Sequence, residues 1–115
     1  LCSANPDGSL PQEMRRGRLA LRYQLHAIAP LAVTALLLDR QGLPVQDVCD
    51  GALARVVGFA LDDLDARGRA SEAITGEAQS LFDGTDQVEP FQLAFIEAYL
   101  RLPDTGDHAR LDALA

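Results

Sequence analysis

The chain has no tryptophan and no lysine, and aromatic residues make up only 5% of its 115 positions. Alanine and leucine dominate instead; both lose little freedom in a helix and neither is β-branched, so the composition favours α-helix. No stretch alternates apolar and polar residues convincingly, which excludes strands as the organising element. The two cysteines, Cys2 and Cys49, are too few and too widely spaced for a zinc site. They leave two alternatives open: one disulfide in an oxidising compartment, or two buried thiols. The longest apolar run, Leu25 to Leu38, covers fourteen residues and contains His26 and Pro30. That is too short to span a bilayer and reads as a buried core helix, so no membrane partner is expected. A nucleotide-binding glycine loop, a paired-histidine metal motif and a Gly-x-Ser-x-Gly elbow are all missing, and no metal, nucleotide or redox cofactor is expected. The chain starts at Leu1, without a basic n-region or a signal-type hydrophobic stretch, and reads as a processed chain or a fragment.

What is present is a globular composition, 48% apolar and 23% charged, of a size that suits one domain. The formal charge of −7 argues against nucleic acid as a partner. Every basic residue is an arginine, and Arg15, Arg16, Arg18 and Arg22 fall within eight positions. The other 107 residues hold six arginines against seventeen acids, or −11. A local positive patch on an acidic chain suits an anionic ligand, because guanidinium forks grip carboxylates bidentately. A solvated helix face studded with arginines is the plainer alternative.

The fold class read from the pattern is all-α. Residues 1–12 carry turn chemistry in Asn5-Pro6-Asp7-Gly8-Ser9 and Pro11. A first long helix starts between Gln12 and Arg18, with Leu19, Tyr23, Ala27 and Leu31 at spacing four and Leu21, Leu25 and Ile28 widening the stripe. Pro30 either kinks it or opens a second helix, and Gly42 stops it. Pro44 suits the first turn of the next helix, which runs through Val45, Val48, Ala52, Val56, Phe59, Ala60 and Leu64 to Arg67-Gly68. Residues 69–88 are expected to be irregular, with a short helix at 70–74. Pro90 opens a third helix through Phe91, Ala94, Phe95, Ala98 and Leu102, and an amphipathic turn at His108–Leu114 ends the chain. Helices joined by short loops pack as antiparallel hairpins.

Arg16 and Tyr23 are the informative pair. Seven residues make nearly two helical turns, so the two share a face, about 10 Å apart along the axis. Gly17 leaves open whether Arg16 lies in the helix or just before it. A cation beside a phenol suits β-elimination on a uronic acid, where the C5 proton is removed and negative charge must be stabilised. Nearby cations favour a phenolate, which can take that proton, while the phenol can donate to the leaving oxygen. A tyrosine on an apolar helix stripe is also an ordinary core residue, and that alternative stands on spacing alone.

The segment Asp7-Gly8-x-Leu10-Pro11-x-Glu13, its arginines, Ala20-Leu21-x-Tyr23 and the Ala27-x-x-Pro30-Leu31 run resemble the alginate lyases of the (α/α) toroid polysaccharide lyase family. Further matches are Gln41-Gly42, Gly51-Ala52-Leu53 with Arg55, Thr75-Gly76-x-x-Gln79, and Ala94-Phe95-Ile96-Glu97-Ala98-Tyr99. The resemblance implies that residues 1–115 are the C-terminal portion of one incomplete toroid domain. It implies Tyr23 as catalytic acid and base, Arg16 holding or neutralising the uronate, and Arg15 and Arg22 as further substrate-binding residues. His26, three residues beyond Tyr23, is a second-shell or core histidine in this reading. The implied partner is alginate or a related anionic polyuronate, and the implied whole protein is a monomer, periplasmic or secreted. The family's adjacent Asn-His pair has no counterpart, since neither His26 nor His108 follows an asparagine, so the chain would hold half a site and be inactive alone. Arg22 and Gln24 stand where histidines are common in the family, which puts mannuronate preference in question. A non-catalytic helical module binding uronate or protein is the alternative.

Overall fold

A computed structural model of the chain describes residues 2–103 and 106–114, the side chains of Gln46 and Phe91 excepted. Among these residues the α-helices are α1 (Pro11–Met14), α2 (Ala20–Arg40), α3 (Ala52–Asp65), α4 (Arg69–Thr75), α5 (Phe95–Leu100) and α6 (His108–Leu114). Single 3-10 turns occur at Gly17–Leu19, Val45–Asp47, Ser80–Phe82 and Pro90–Leu93. No strand occurs among the described residues, and the chain is all-α.

The organising element is α2. Leu21, Leu25, Ile28, Ala32 and Ala35 recur at alternating spacings of four and three, and all are buried. They pack against Leu53, Val56, Val57, Ala60 and Leu61 of α3 and Phe95, Ile96 and Tyr99 of α5. Burying a side chain of leucine or valine size contributes about 1.5–3 kcal/mol, so this seam accounts for most of the apolar stabilisation. The row Leu19, Tyr23, Ala27 and Leu31 is only half-buried along the flank of the seam. Tyr23 is therefore not a core residue. Pro30 stays inside α2 on an exposed position, where solvent tolerates the lost backbone donor.

The apolar run seen in the sequence belongs to a longer stretch. Gly17–Arg40 comprises 24 residues and is long and apolar enough, by length and composition alone, to cross a membrane. In this fold it is the core helix, with Gln24 as well as its apolar stripe buried against the neighbouring segments.

Other boundaries differ from the sequence expectation. The second long helix begins at Ala52 rather than Pro44. Cys49, Asp50 and Gly51 adopt φ of 54°, 58° and 72°, a left-handed run that no helix continues through. Arg55 holds that run by donating from Nη1 to the carbonyls of Cys49 and Asp50. The third helix is a 3-10 turn at Pro90–Leu93 followed by α5, so it is broken where one helix was expected. The side chain of Phe91 in that series lies outside the described residues. The short helix expected at 70–74 is α4, capped by the buried Asp63, whose carboxylate accepts from the backbone N–H groups of Ala70 (2.8 Å) and Ser71 (3.1 Å).

Cys2 and Cys49, separated by 47 positions in sequence, form a disulfide with Cα atoms 5.3 Å apart. Closing a loop of this length restricts the unfolded chain and stabilises the fold by about 4 kcal/mol. Reduction, or Cys2→Ser, is expected to lower the thermal midpoint by about 15 °C for a domain of this size. Thermal unfolding with and without reductant checks this, and coincident curves would refute it.

Candidate functional site

Arg16 does not lie on α2. It precedes the Gly17–Leu19 turn with φ −83° and ψ 6°, and its side chain folds back over α2. Its Cζ sits 4.2 Å from the centroid of the Tyr23 ring, a cation–π contact. His26 meets the same ring edge-on, with centroids 6.4 Å apart and planes at 67°. The three side chains form one solvent-accessible face, with Arg16 and His26 exposed and Tyr23 half-buried between them.

The surrounding sequence motif builds this face. Asp7 accepts hydrogen bonds from Ser9 N (2.8 Å) and Ser9 Oγ (2.7 Å), closing a tight turn. Gly8 turns there with φ of 94° against the backbone of Arg55. Gln24 is completely buried, accepting from Leu10 N at 3.0 Å and donating to Gly8 O at 3.1 Å and Val56 O at 3.2 Å. This amide clips the incoming strand of chain to α2 and α3. Pro11 then opens α1, whose Met14 is buried, and Glu13 pairs with Arg16, Oε2 to Nε 3.1 Å. A second buried amide, Gln79, accepts from Leu21 N at 2.9 Å and donates to Gly17 O at 3.1 Å. It fixes the turn between Arg16 and Tyr23.

The arginine patch is more neutral than its sequence suggests. Arg22 binds Asp86, Nη1 to Oδ2 2.5 Å, and Arg18 donates to Thr85 Oγ1 at 3.2 Å with Asp83 Oδ2 at 3.9 Å. Three of the four arginines thus face Glu13, Asp83 and Asp86, so four positive charges less three negative leave one. Arg15 is exposed and has no ion pair among the described residues. Of the residues expected to bind substrate, Arg16 joins Tyr23, Arg22 is held to the 83–86 turn, and Arg15 projects into solvent. Gln24, expected to reshape the site, points into the core.

The acidic turn titrates with the fold. Hydrogen bonds from the Thr85 hydroxyl and backbone N–H, then the charge of Arg18, lower the Asp83 pKa below its ordinary 3.8. The Gln87 backbone N–H, then Arg22, lower that of Asp86. A lowered folded value means the stabilisation is complete above the unfolded value and is lost as pH falls through the folded one. The thermal midpoint is expected to drop below about pH 4, and to drop less in Asp83→Asn/Asp86→Asn. Identical acid profiles for the two proteins would sink this assignment.

No group of three or more His, Cys, Asp or Glu among the described residues is arranged to hold a metal ion. An apolar recess of about 470 Å³, lined by Val88, Pro90, Leu93, Ile96, Leu100 and Leu114 among others, shares no lining residue with the Arg16–Tyr23 face. Glu13 and Gln79 stood among the motif residues that carry the family resemblance but were given no role in the site; the i, i+3 spacing of Glu13 and Arg16 was the one local hint of such a role.

A helical domain that lays an arginine over an accessible tyrosine is the setting in which the comparisons with known proteins fall. The alginate lyase family model matches residues 3–70, and the chain belongs to that family. It is 33% identical over 95 residues to an alginate lyase of Pseudomonas paraeruginosa, covering 83% of this chain and 25% of that protein. It is 33% identical over 96 residues to an alginate lyase of Pseudomonas syringae pv. tomato, covering 84% and 24%. To an alginate lyase of Cobetia marina it is 31% identical over 96 residues, covering 84% and 25%. The chain thus spans about a quarter of the length of these curated relatives. No solved structure matches it.

Proposed function

We propose that the chain is the C-terminal portion of a helical (α/α) toroid polysaccharide lyase that cleaves an anionic polyuronate such as alginate by β-elimination. The observation that carries this reading is the 4.2 Å contact of Arg16 with the Tyr23 ring on an accessible face, in a chain of the alginate lyase family. Tyr23, as phenolate, takes the proton on C5 of the uronate. The electron pair of that C–H bond forms the C4–C5 double bond, and the C4–O bond breaks. The glycosidic oxygen leaves with a proton, which the phenol returns. Arg16 neutralises the carboxylate attached to C5, where charge accumulates before the C4–O bond is lost.

The disulfide suits a periplasmic or secreted protein, since such bonds persist in oxidising compartments. Val33 and Leu37, exposed by 48% and 57%, give α2 an apolar outer side on which further helices of a toroid would stack. The 115-residue chain by itself is expected to be inactive, because no Asn-His pair stands in it. The test is the complete natural chain incubated with poly-mannuronate, poly-guluronate and other polyuronates. Unsaturated uronate ends should raise the ultraviolet absorbance with at least one of them; a flat trace with all would overturn the reading.

A further inference from the structure

We infer that Glu13 is a positioning residue for the Arg16–Tyr23 pair, setting which edge of the guanidinium faces the substrate. This rests on the lyase reading above. The guanidinium offers two bidentate edges, one through Nε and one through the two Nη atoms. Glu13 Oε2 occupies Nε at 3.1 Å while Cζ lies 4.2 Å over the Tyr23 ring, so the Nη edge is the one left to meet an incoming carboxylate.

Glu13 is itself firmly placed. Its side chain is only 20% exposed, against 52% for Arg16. Pro11 opens α1 two residues earlier, Met14 anchors the helix in a small cluster with Ala20 and Phe59, and Gln24 clips Leu10 just ahead of it. The acid is the more enclosed partner of the ion pair, and the arginine the more exposed. A pair of this kind, half-open to solvent, adds little stability, so its consequence lies in orientation. Without Glu13, Arg16 samples more rotamers and loses the geometry a near-attack pose requires.

The test compares wild type, Glu13→Gln, Glu13→Asp and Tyr23→Phe in the complete natural chain, following unsaturated uronate release. For Glu13→Gln the expected result is a roughly 10-fold fall in kcat with KM within about threefold. The thermal midpoint should not change. Glu13→Asp keeps a carboxylate that can still reach Arg16 and should recover most of the lost kcat. A kcat for Glu13→Gln within about twofold of wild type overturns the proposal, and so does a fall in kcat that Glu13→Asp leaves unrelieved. If Tyr23→Phe keeps full activity, the lyase reading of the pair fails. If Tyr23→Phe abolishes activity while Glu13→Gln behaves as wild type, only the role of Glu13 fails.

Discussion

Tyr23→Phe in the complete natural chain is expected to lower lyase turnover by about 10²–10⁴-fold, the range general acid–base catalysis supplies. The substitution removes one oxygen and keeps the ring. Arg16 can still stack on a phenyl face, and the ring contact with His26 needs no hydroxyl. Because Tyr23 is half-buried on the flank of α2, losing its hydroxyl leaves no empty volume in the core, and the thermal midpoint should stay within about 2 °C. KM should change little, since the hydroxyl acts on the proton in flight rather than on the bound sugar. The measurement is initial rates of ultraviolet absorbance growth on the preferred polyuronate, beside thermal unfolding of both proteins. Undiminished turnover would remove Tyr23 from the chemistry. A large loss accompanied by unfolding would assign it to the scaffold instead.

The pairing of Arg16 with Tyr23 was legible from their spacing, but its geometry was not. Seven residues on one continuous helix would have left the two groups separated along the axis. The fold interrupts that helix at Gly17, whose φ of 59° redirects the chain and lets the arginine lie directly on the ring. The buried amide of Gln79, 62 residues from Gly17, ties that turn to the rest of the fold, and local pattern carries no trace of so distant a partner. The arginine patch misled for the same reason: Asp86 lies 64 residues from Arg22, and its proximity is a property of the tertiary fold.

Gln24 shows a different limit. Beside Tyr23 in sequence, it reads as a substitution within the site. Its side chain instead points about 100° round the helix, onto the buried stripe with Leu21, Leu25 and Ile28, where only a fully bonded amide is tolerable. The helix type of the whole chain was plain from alanine, leucine and period. The start of α3 was not, because the Cys49–Gly51 run and its disulfide override an apolar pattern that continues helically through Val45 and Val48.

Gly8→Ala is expected to destabilise the fold by about 4 kcal/mol or more. Two costs combine there. A residue with a side chain held at φ of 94° loses about 1–2 kcal/mol relative to glycine. The new Cβ would stand 2.0 Å from the carbonyl oxygen of Arg55 and 2.5 Å from its carbonyl carbon. Forced overpacking costs about 1–3 kcal/mol where side chains can yield, and here the obstacle is the backbone of α3. Neither chain segment can retreat freely, since Gln24 ties Gly8 O and Val56 O to the same amide. The displacement would pass through Leu10 and α1 to Glu13, so activity should fall with stability in the complete chain. Total stabilities of about 5–15 kcal/mol leave a variant of this kind near unfolding at growth temperature. Gly76→Ala is the control: with φ of 78° and nothing within 4 Å of a Cβ, it bears the conformational cost alone. Equal thermal midpoints for the two variants would show that the approach of Gly8 to α3 is not what the motif requires of its glycine.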